Sequence, residues 1–158
     1  MMQLPVLPID GRQSATALAV ARGTGRVLRR LGLVVVPEVG LPDGRRADLV
    51  AVGRRGDIWI VEIKSSVIDF QVDRKWPDYR NHCDRLHFAV SPDFPVEILP
   101  EDTGLIVADN YDGALIREAP DHRLTSHTRR AMTLLIARIA AARLHQAIDP
   151  DTPFGDLD

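Results

Sequence analysis

The apolar positions of this chain fall into short blocks whose period changes from one segment to the next. After a leader containing Pro5, Pro8 and Gly11, residues Leu18, Ala21, Gly25 and Leu28 keep helical spacing and predict a helix from about Ser14 to Leu31. Ser14 suits the N-cap and Gly32 the stop. Leu33 to Glu38 is a short β-branched run, so a first strand, and the Pro42-Asp43-Gly44 stretch within 40–46 is a turn. Two more strands follow, from Ala47 to Val52 and from Ile58 to about Lys64. Both are nearly continuous in apolar residues instead of alternating, which marks strands covered on both faces.

The segment from Ile68 to Arg85 has another character, with weak helical periodicity broken at Pro77, and predicts one or two short helices. Leu86 to Val90 reads as a strand and Ser91 to Thr103, with three prolines, as a loop. Leu105–Ala108 and Ala114–Arg117 frame Asn110-Tyr-Asp-Gly113 as a hairpin. Ser126 then caps a long helix to about Ile148, with Met132, Leu135, Ile136 and Ile139 on one stripe. Helix, three strands, helix and strand in that order predict an α/β fold with a mixed central sheet flanked by helices, extended by the hairpin and the long C-terminal helix. The expected organisation is a leader over 1–13, one domain over 14–149 and an acidic tail over 150–158 with three Asp and no base.

Charge inside the apolar strands needs a reason, because burying it is costly. Glu62 and Lys64 are two apart and leave a strand on the same face. Between the strands lies Arg54-Arg55-Gly56, and a three-residue hairpin loop ending in a left-handed glycine would pair Gly53 with Asp57. Counting back sets Asp48 opposite Glu62, whereas a two-residue loop would turn Asp48 to the other face. The favoured register gathers Asp48, Glu62 and Lys64 into one polar site. Two facing carboxylates repel unless a cation lies between them, and a hard oxygen-seeking ion such as Mg²⁺ or Mn²⁺ fits. Lys64 beside it would orient a water or stabilise charge on a phosphate, so the implied chemistry is metal-assisted phosphodiester hydrolysis. A surface ion pair on an exposed sheet face is the plainer alternative, and the doubly buried strands argue against it.

Asp48 followed by Glu62-Ile63-Lys64 resembles the signature of the PD-(D/E)xK nuclease superfamily. The longer string Gly44-Arg-Arg-Ala-Asp48, Val61-Glu-Ile-Lys-Ser-Ser66, Asp69-Phe70, Asp73, Lys75-Trp76, Tyr79, Cys83-Asp84, Phe88-Ala-Val90 and Pro100-Glu-Asp resembles the MmcB family of bacterial DNA repair proteins, over roughly residues 14 to 118. That resemblance implies a restriction-endonuclease-like αβββαβ core, a DNA repair role, Asp48 and Glu62 as metal-binding acids and Lys64 as catalytic lysine. The Ile63 carbonyl would complete the ion's shell. Many superfamily members carry another glutamate on the first helix; this chain has none there, and Glu38 is the nearby acid that would substitute.

Net charge is −2, which argues against a chain coated in nucleic acid, yet 18 of the 20 basic residues are arginine and both lysines, Lys64 and Lys75, lie in the candidate segment. Arg74, Lys75, Trp76, Tyr79 and Arg80 mix cations with large rings, which suits phosphate contacts with base stacking, or a short helix packed on the sheet. Arg45, Arg46 and Ser65 flank the acids where substrate phosphates would approach. Arg22, Arg26, Arg29 and Arg30 share the outer face of the first helix, read as a solvated basic face before a phosphate stripe. His82-Cys83-Asp84 with His87 lacks zinc spacing, and Cys83 reads as a small core residue. The lone cysteine, the absence of a signal-like start and of a membrane-length apolar run point to a cytoplasmic protein, and the DNA repair role that the resemblance implies would associate it with the nucleoid. DNA is the expected partner, with other repair proteins behind it. Leu134, Leu144 and Ile148, off the main stripe of the last helix, mean either burial or a homodimer contact. A non-cleaving module that binds DNA or recruits partners is the rival to a nuclease.

Overall fold

The computed structural model describes residues 14–151; the leader over 1–13 and the tail from 152 onward lie outside them. Helix α1 (Ala15–Arg30) leads into strands β1 (Val34–Gly40), β2 (Arg46–Val52) and β3 (Ile58–Lys64). Helix α2 (Val67–Val72) and a 3-10 segment (Trp76–His82) connect to β4 (Arg85–Val90). A second 3-10 turn (Val96–Ile98), β5 (Gly104–Ala108), β6 (Gly113–Arg117) and α3 (Ser126–Ile148) complete the order.

The six strands form one sheet in sequence order, antiparallel from β1 to β3, parallel from β3 through β5 and antiparallel again at β6. The αβββαβ order and the mixed sheet flanked by helices are as the apolar pattern predicts. All seven residues of β3 are buried, which is why its sequence does not alternate. On one face, Val20, Val27 and Leu28 of α1 pack on Leu49, Trp59, Val61 and Ile63. On the other, Tyr79 and Cys83 with Met132 and Ile136 of α3 cover Val50, Ile58, Ile60 and Leu86. Among the described residues no helix is long and apolar enough to cross a membrane.

Local rules explain the joints. Ser14 Oγ accepts the Ala17 N–H at 3.1 Å and starts α1. Gly53 N–H donates to Asp57 across the hairpin, and Gly56 takes a φ of +84°, which gives the three-residue loop that the register argument requires. Three details differ from expectation. The buried stripe of α1 runs through Val20, Gly23, Thr24, Val27 and Leu28, so Leu28 holds its expected place while Leu18 is exposed. Gly23 turns the helix that way, because a Cβ there would meet the Asp109 carbonyl at 2.1 Å, so the bare backbone lets α1 close onto the β5–β6 turn. Arg26 and Arg30 are exposed, as a solvated face predicts, yet both also reach across that contact to the Tyr111 and Gly113 carbonyls and to Asp112. The cap of α3 is Thr125, whose Oγ1 accepts the Thr128 N–H, one residue before the expected Ser126.

Candidate active site

The β2–β3 ladder changes character at the end of the sheet where β2 begins and β3 stops. Backbone partners run from Val52↔Ile58 to Leu49↔Val61. One step further, where counting sets Asp48 opposite Glu62, the side chains take over. The Asp48 N–H donates to Glu62 Oε1 at 3.1 Å, and the Ile63 N–H donates to Asp48 Oδ2 at 2.8 Å. Each carboxylate is thus held by one oxygen in place of a ladder carbonyl. The other oxygen of each, Oδ1 and Oε2, has no hydrogen bond among the described residues.

Burial raises the Asp48 carboxyl above its usual range, against the pull of the Ile63 N–H and of Lys64. Burial also pushes Glu62 well above its usual range, and the neighbouring Asp48 charge adds to that. Lys64, with only 6% of its side chain exposed, sets Nζ 2.6 Å from Asp73 Oδ2 just beyond α2. The α2 turn is itself built by a reciprocal pair: Ser66 Oγ accepts the Asp69 N–H, while Asp69 Oδ2 accepts the Ser65 N–H and hydroxyl.

These groups line one cleft of about 500 Å³. It brings together Asp48, Glu62, Ile63, Lys64 and Ser65 with Arg45, Arg46, Lys75 and Tyr79. Arg45 is bridged to Asp43 at 3.0 Å and Asp78 at 2.6 Å. Tyr79 is a packing residue as well as a wall, since it is buried in the second core and its hydroxyl donates to the Arg46 carbonyl at 3.0 Å. Burial raises that phenol beyond any ordinary titration.

Glu38, Arg74, Trp76 and Arg80 are not among the lining residues. Glu38 sits on β1 at a φ of +50°, with its carboxylate 3.7 Å from Arg46, and Arg143 binds the Pro37 and Glu38 carbonyls. Trp76 packs edge-on against Phe88 with the Arg80 guanidinium 5.2 Å from its ring, and Arg80 also bonds Asp102. Arg74 is exposed. Asp69 and Asp73 line the cleft without having been assigned a role from the residues alone. The Ser65-Ser66-x-x-Asp69 spacing is the signal that a helix start, and with it a second pair of acids, follows β3 directly.

The residues of the zinc-like triplet go elsewhere. Cys83 is buried, its thiol pushed up to about 12 by burial. Asp84 accepts the N–H groups of Ile58 and Leu124 and forks onto Arg129 at 2.6 Å through both oxygens. His82 faces Asp43 at 3.3 Å.

The comparisons agree with this architecture. The family model described as "DNA repair protein MmcB-like" matches residues 5–151. A solved structure of a protein of unknown function from Silicibacter pomeroyi is 39% identical, with a TM-score of 0.85 over 92% of this chain and 99% of that one. No curated protein matches. On a match that spans both helical layers, the whole sheet and the cleft, the chain belongs to the MmcB-like DNA repair protein family.

Proposed function

We propose that the cleft is a divalent-metal-dependent phosphodiesterase site, and that the protein cuts DNA in the course of repair. The observation that carries this reading is the Asp48–Glu62 pair: two buried, mutually repelling carboxylates, each pinned by one oxygen and open at the other. Mg²⁺ or Mn²⁺ fits such a donor set, since these ions take one or two carboxylates and fill the remaining positions with water, backbone carbonyl and phosphate oxygens. Among the described residues no group of three His, Cys, Asp or Glu side chains forms a metal cluster, so Asp48, Glu62 and the Ile63 carbonyl would hold the ion and leave room for substrate oxygens. When bound, the ion would polarise the phosphodiester and neutralise the charge that develops on it.

The remaining work falls to the chain's own groups. Water gives a proton to solvent and adds to phosphorus, the P–O ester bond breaks, and the leaving oxygen takes a proton back from solvent. The Lys64 ammonium, anchored by Asp73, orients that water and stabilises charge growing on the phosphate. Arg45, Arg46 and Lys75 at the rim meet flanking phosphates. The resemblance to the PD-(D/E)xK superfamily supports the same assignment of acids and lysine. Calorimetric titration of Mg²⁺ and Mn²⁺ tests it: wild type should give a saturable heat that Asp48→Asn and Glu62→Gln lose, and equal heats from all three would reject the site.

A second reading has one observation in its favour. Helix α1 carries no acidic residue, and Asp69 and Asp73, the other acids lining the cleft, are engaged by Ser65 and by Lys64, so two carboxylates instead of three face an ion. On that reading the fold is a non-cleaving module that binds DNA or recruits repair partners. DNA affinity that is indifferent to EDTA, with no product from any DNA or RNA substrate, selects it.

A further inference from the structure

At the far end of β3 from the cleft, three separate segments deliver arginines to one place. Arg54 and Arg55 tip the β2–β3 hairpin, Arg85 opens β4, and Arg123 precedes α3. They line two hollows of about 520 and 410 Å³ that share Arg55, Asp57 and Arg85. Two more arginines there are already engaged, Arg30 by Asp112 and Arg129 by Asp84. Arg54, Arg55, Arg85 and Arg123 make no hydrogen bond or ion pair among the described residues. Four acids share the hollows with six arginines, and one of the four, Asp84, is consumed by Arg129 and backbone N–H groups. On a chain of net charge −2, this is a local excess of unneutralised guanidinium.

One of these arginines is also held in place. The Arg85 guanidinium carbon lies 5.6 Å from the Trp59 ring centroid. Trp59 is fixed in turn by its Nε1–H on Asp57 at 3.0 Å and by stacking on His87 at 4.6 Å with a 15° tilt. A guanidinium on an ordered aromatic keeps its N–H edges for a ligand, and its planar fork matches a phosphate bidentately.

We propose that this arginine cluster is a second nucleic-acid contact, which takes backbone phosphates of DNA remote from the carboxylate cleft. The choice of DNA as occupant rests on the function proposed above. The cluster and the cleft sit at opposite ends of β3, whose seven residues span about 20 Å at 3.3 Å each. That is the rise of about six base pairs at 3.4 Å per pair, so a longer duplex has the length to span both.

The test is fluorescence anisotropy of a labelled duplex of about 24 base pairs, titrated in EDTA at several salt concentrations so that cleavage plays no part. Arg54→Ala/Arg55→Ala should reduce the slope of log affinity against log salt by about 2 and weaken binding roughly tenfold near 100 mM salt. Arg85→Ala/Arg123→Ala should act alike, and Arg22→Ala/Arg29→Ala on the exposed face of α1 should change neither quantity. Arg54 and Arg55 sit exposed on a loop, so unchanged melting of their variant keeps the result interpretable. Unchanged slope and affinity in both cluster variants would overturn the proposal and leave the arginines to an acidic protein surface. Because binding is read without metal, loss of slope in a protein that never cuts DNA still supports the cluster, and metal-dependent cutting with an unchanged slope removes the cluster alone.

Discussion

Lys64 and Asp73 form an ion pair at 2.6 Å whose lysine is all but removed from solvent. It ties the last residue of β3 to the C-cap of α2, so the strand end that carries the acids and the helix that roofs them are fixed as one unit. Removing one partner of a buried pair leaves the other uncompensated, which costs more than the pair itself contributes. Asp73→Ala should therefore destabilise the fold by about 2–4 kcal/mol. Lys64→Ala/Asp73→Ala should cost less than the two single changes added together. Urea unfolding of the four proteins checks it; strict additivity would mean that the two side chains do not depend on each other.

Glu62 should behave as a group kept for chemistry at the expense of stability. Its folded pKa lies well above that of an ordinary glutamate, 4.5, so it binds a proton more readily folded than unfolded. A raised group supports the fold at low pH, and that support is lost as pH rises through the folded pKa. Glu62→Gln keeps the Oε1 acceptor for the Asp48 N–H and removes the buried charge. The variant should be more stable than wild type by about 1–2 kcal/mol at pH 8, and the difference should close as pH falls towards 4.5. Thermal melts across that range measure it, and a variant less stable than wild type at pH 8 would count against a charged Glu62.

His87 carries the opposite sign. It is fully buried, neither ring nitrogen has a partner among the described residues, and burial followed by the Arg85 charge lowers its pKa to about 4. The unfolded imidazole takes up its proton near 6.5, so wild type should lose stability as pH falls from 6.5 towards 4, by about 3 kcal/mol at full extent. His87→Leu should show a flatter limb over that window, whatever its stability at pH 7. Parallel limbs would assign the acid sensitivity to other groups.

Asp84 is the structural counterpart of the cleft acids. Its four bonds to Ile58, Leu124 and Arg129 join the start of β3 to α3, and they hold its carboxyl below the usual range, the Arg129 bond foremost among the lowering effects, although burial opposes them. Asp84→Ala should cost about 2–4 kcal/mol, since it leaves two N–H groups and a half-buried guanidinium fork without their acceptor. For a lowered carboxylate the contribution is present above the unfolded pKa of 3.8 and lost as pH falls below it. Chemical denaturation at pH 7 decides it; a loss below 1 kcal/mol would show that water replaces the carboxylate at little cost.

Much of this was legible in the chain because the relevant rules are local. Gly56 fixed the loop length, the loop length fixed the register, and the register set Asp48 opposite Glu62. The continuous apolar run of β3 announced burial on both faces. What escaped was set by contacts distant in sequence. The roll of α1 depends on Gly23 meeting the Asp109 carbonyl, 86 positions on, and hydrophobic spacing has no term for a missing side chain. Trp76, Tyr79 and Arg80 read equally as a stacking platform or as packing, and only their neighbours Phe88, Arg46 and Asp102 show how each is engaged. Asp73 lay nine residues from Lys64, yet the turn of α2 was needed to bring the two together.

The most direct measurement of the central idea is cleavage itself, with wild type, Asp48→Asn and Lys64→Ala incubated with damaged, branched and single-stranded DNA in Mg²⁺, in Mn²⁺ and in EDTA. Asp48→Asn preserves the acceptor for the Ile63 N–H, so it tests chemistry more than folding. The account predicts product from wild type in one or both metals, none in EDTA, and a loss of at least a hundredfold, about 10², in either variant. Equal product from wild type and Asp48→Asn, or cutting that persists in EDTA, would contradict it.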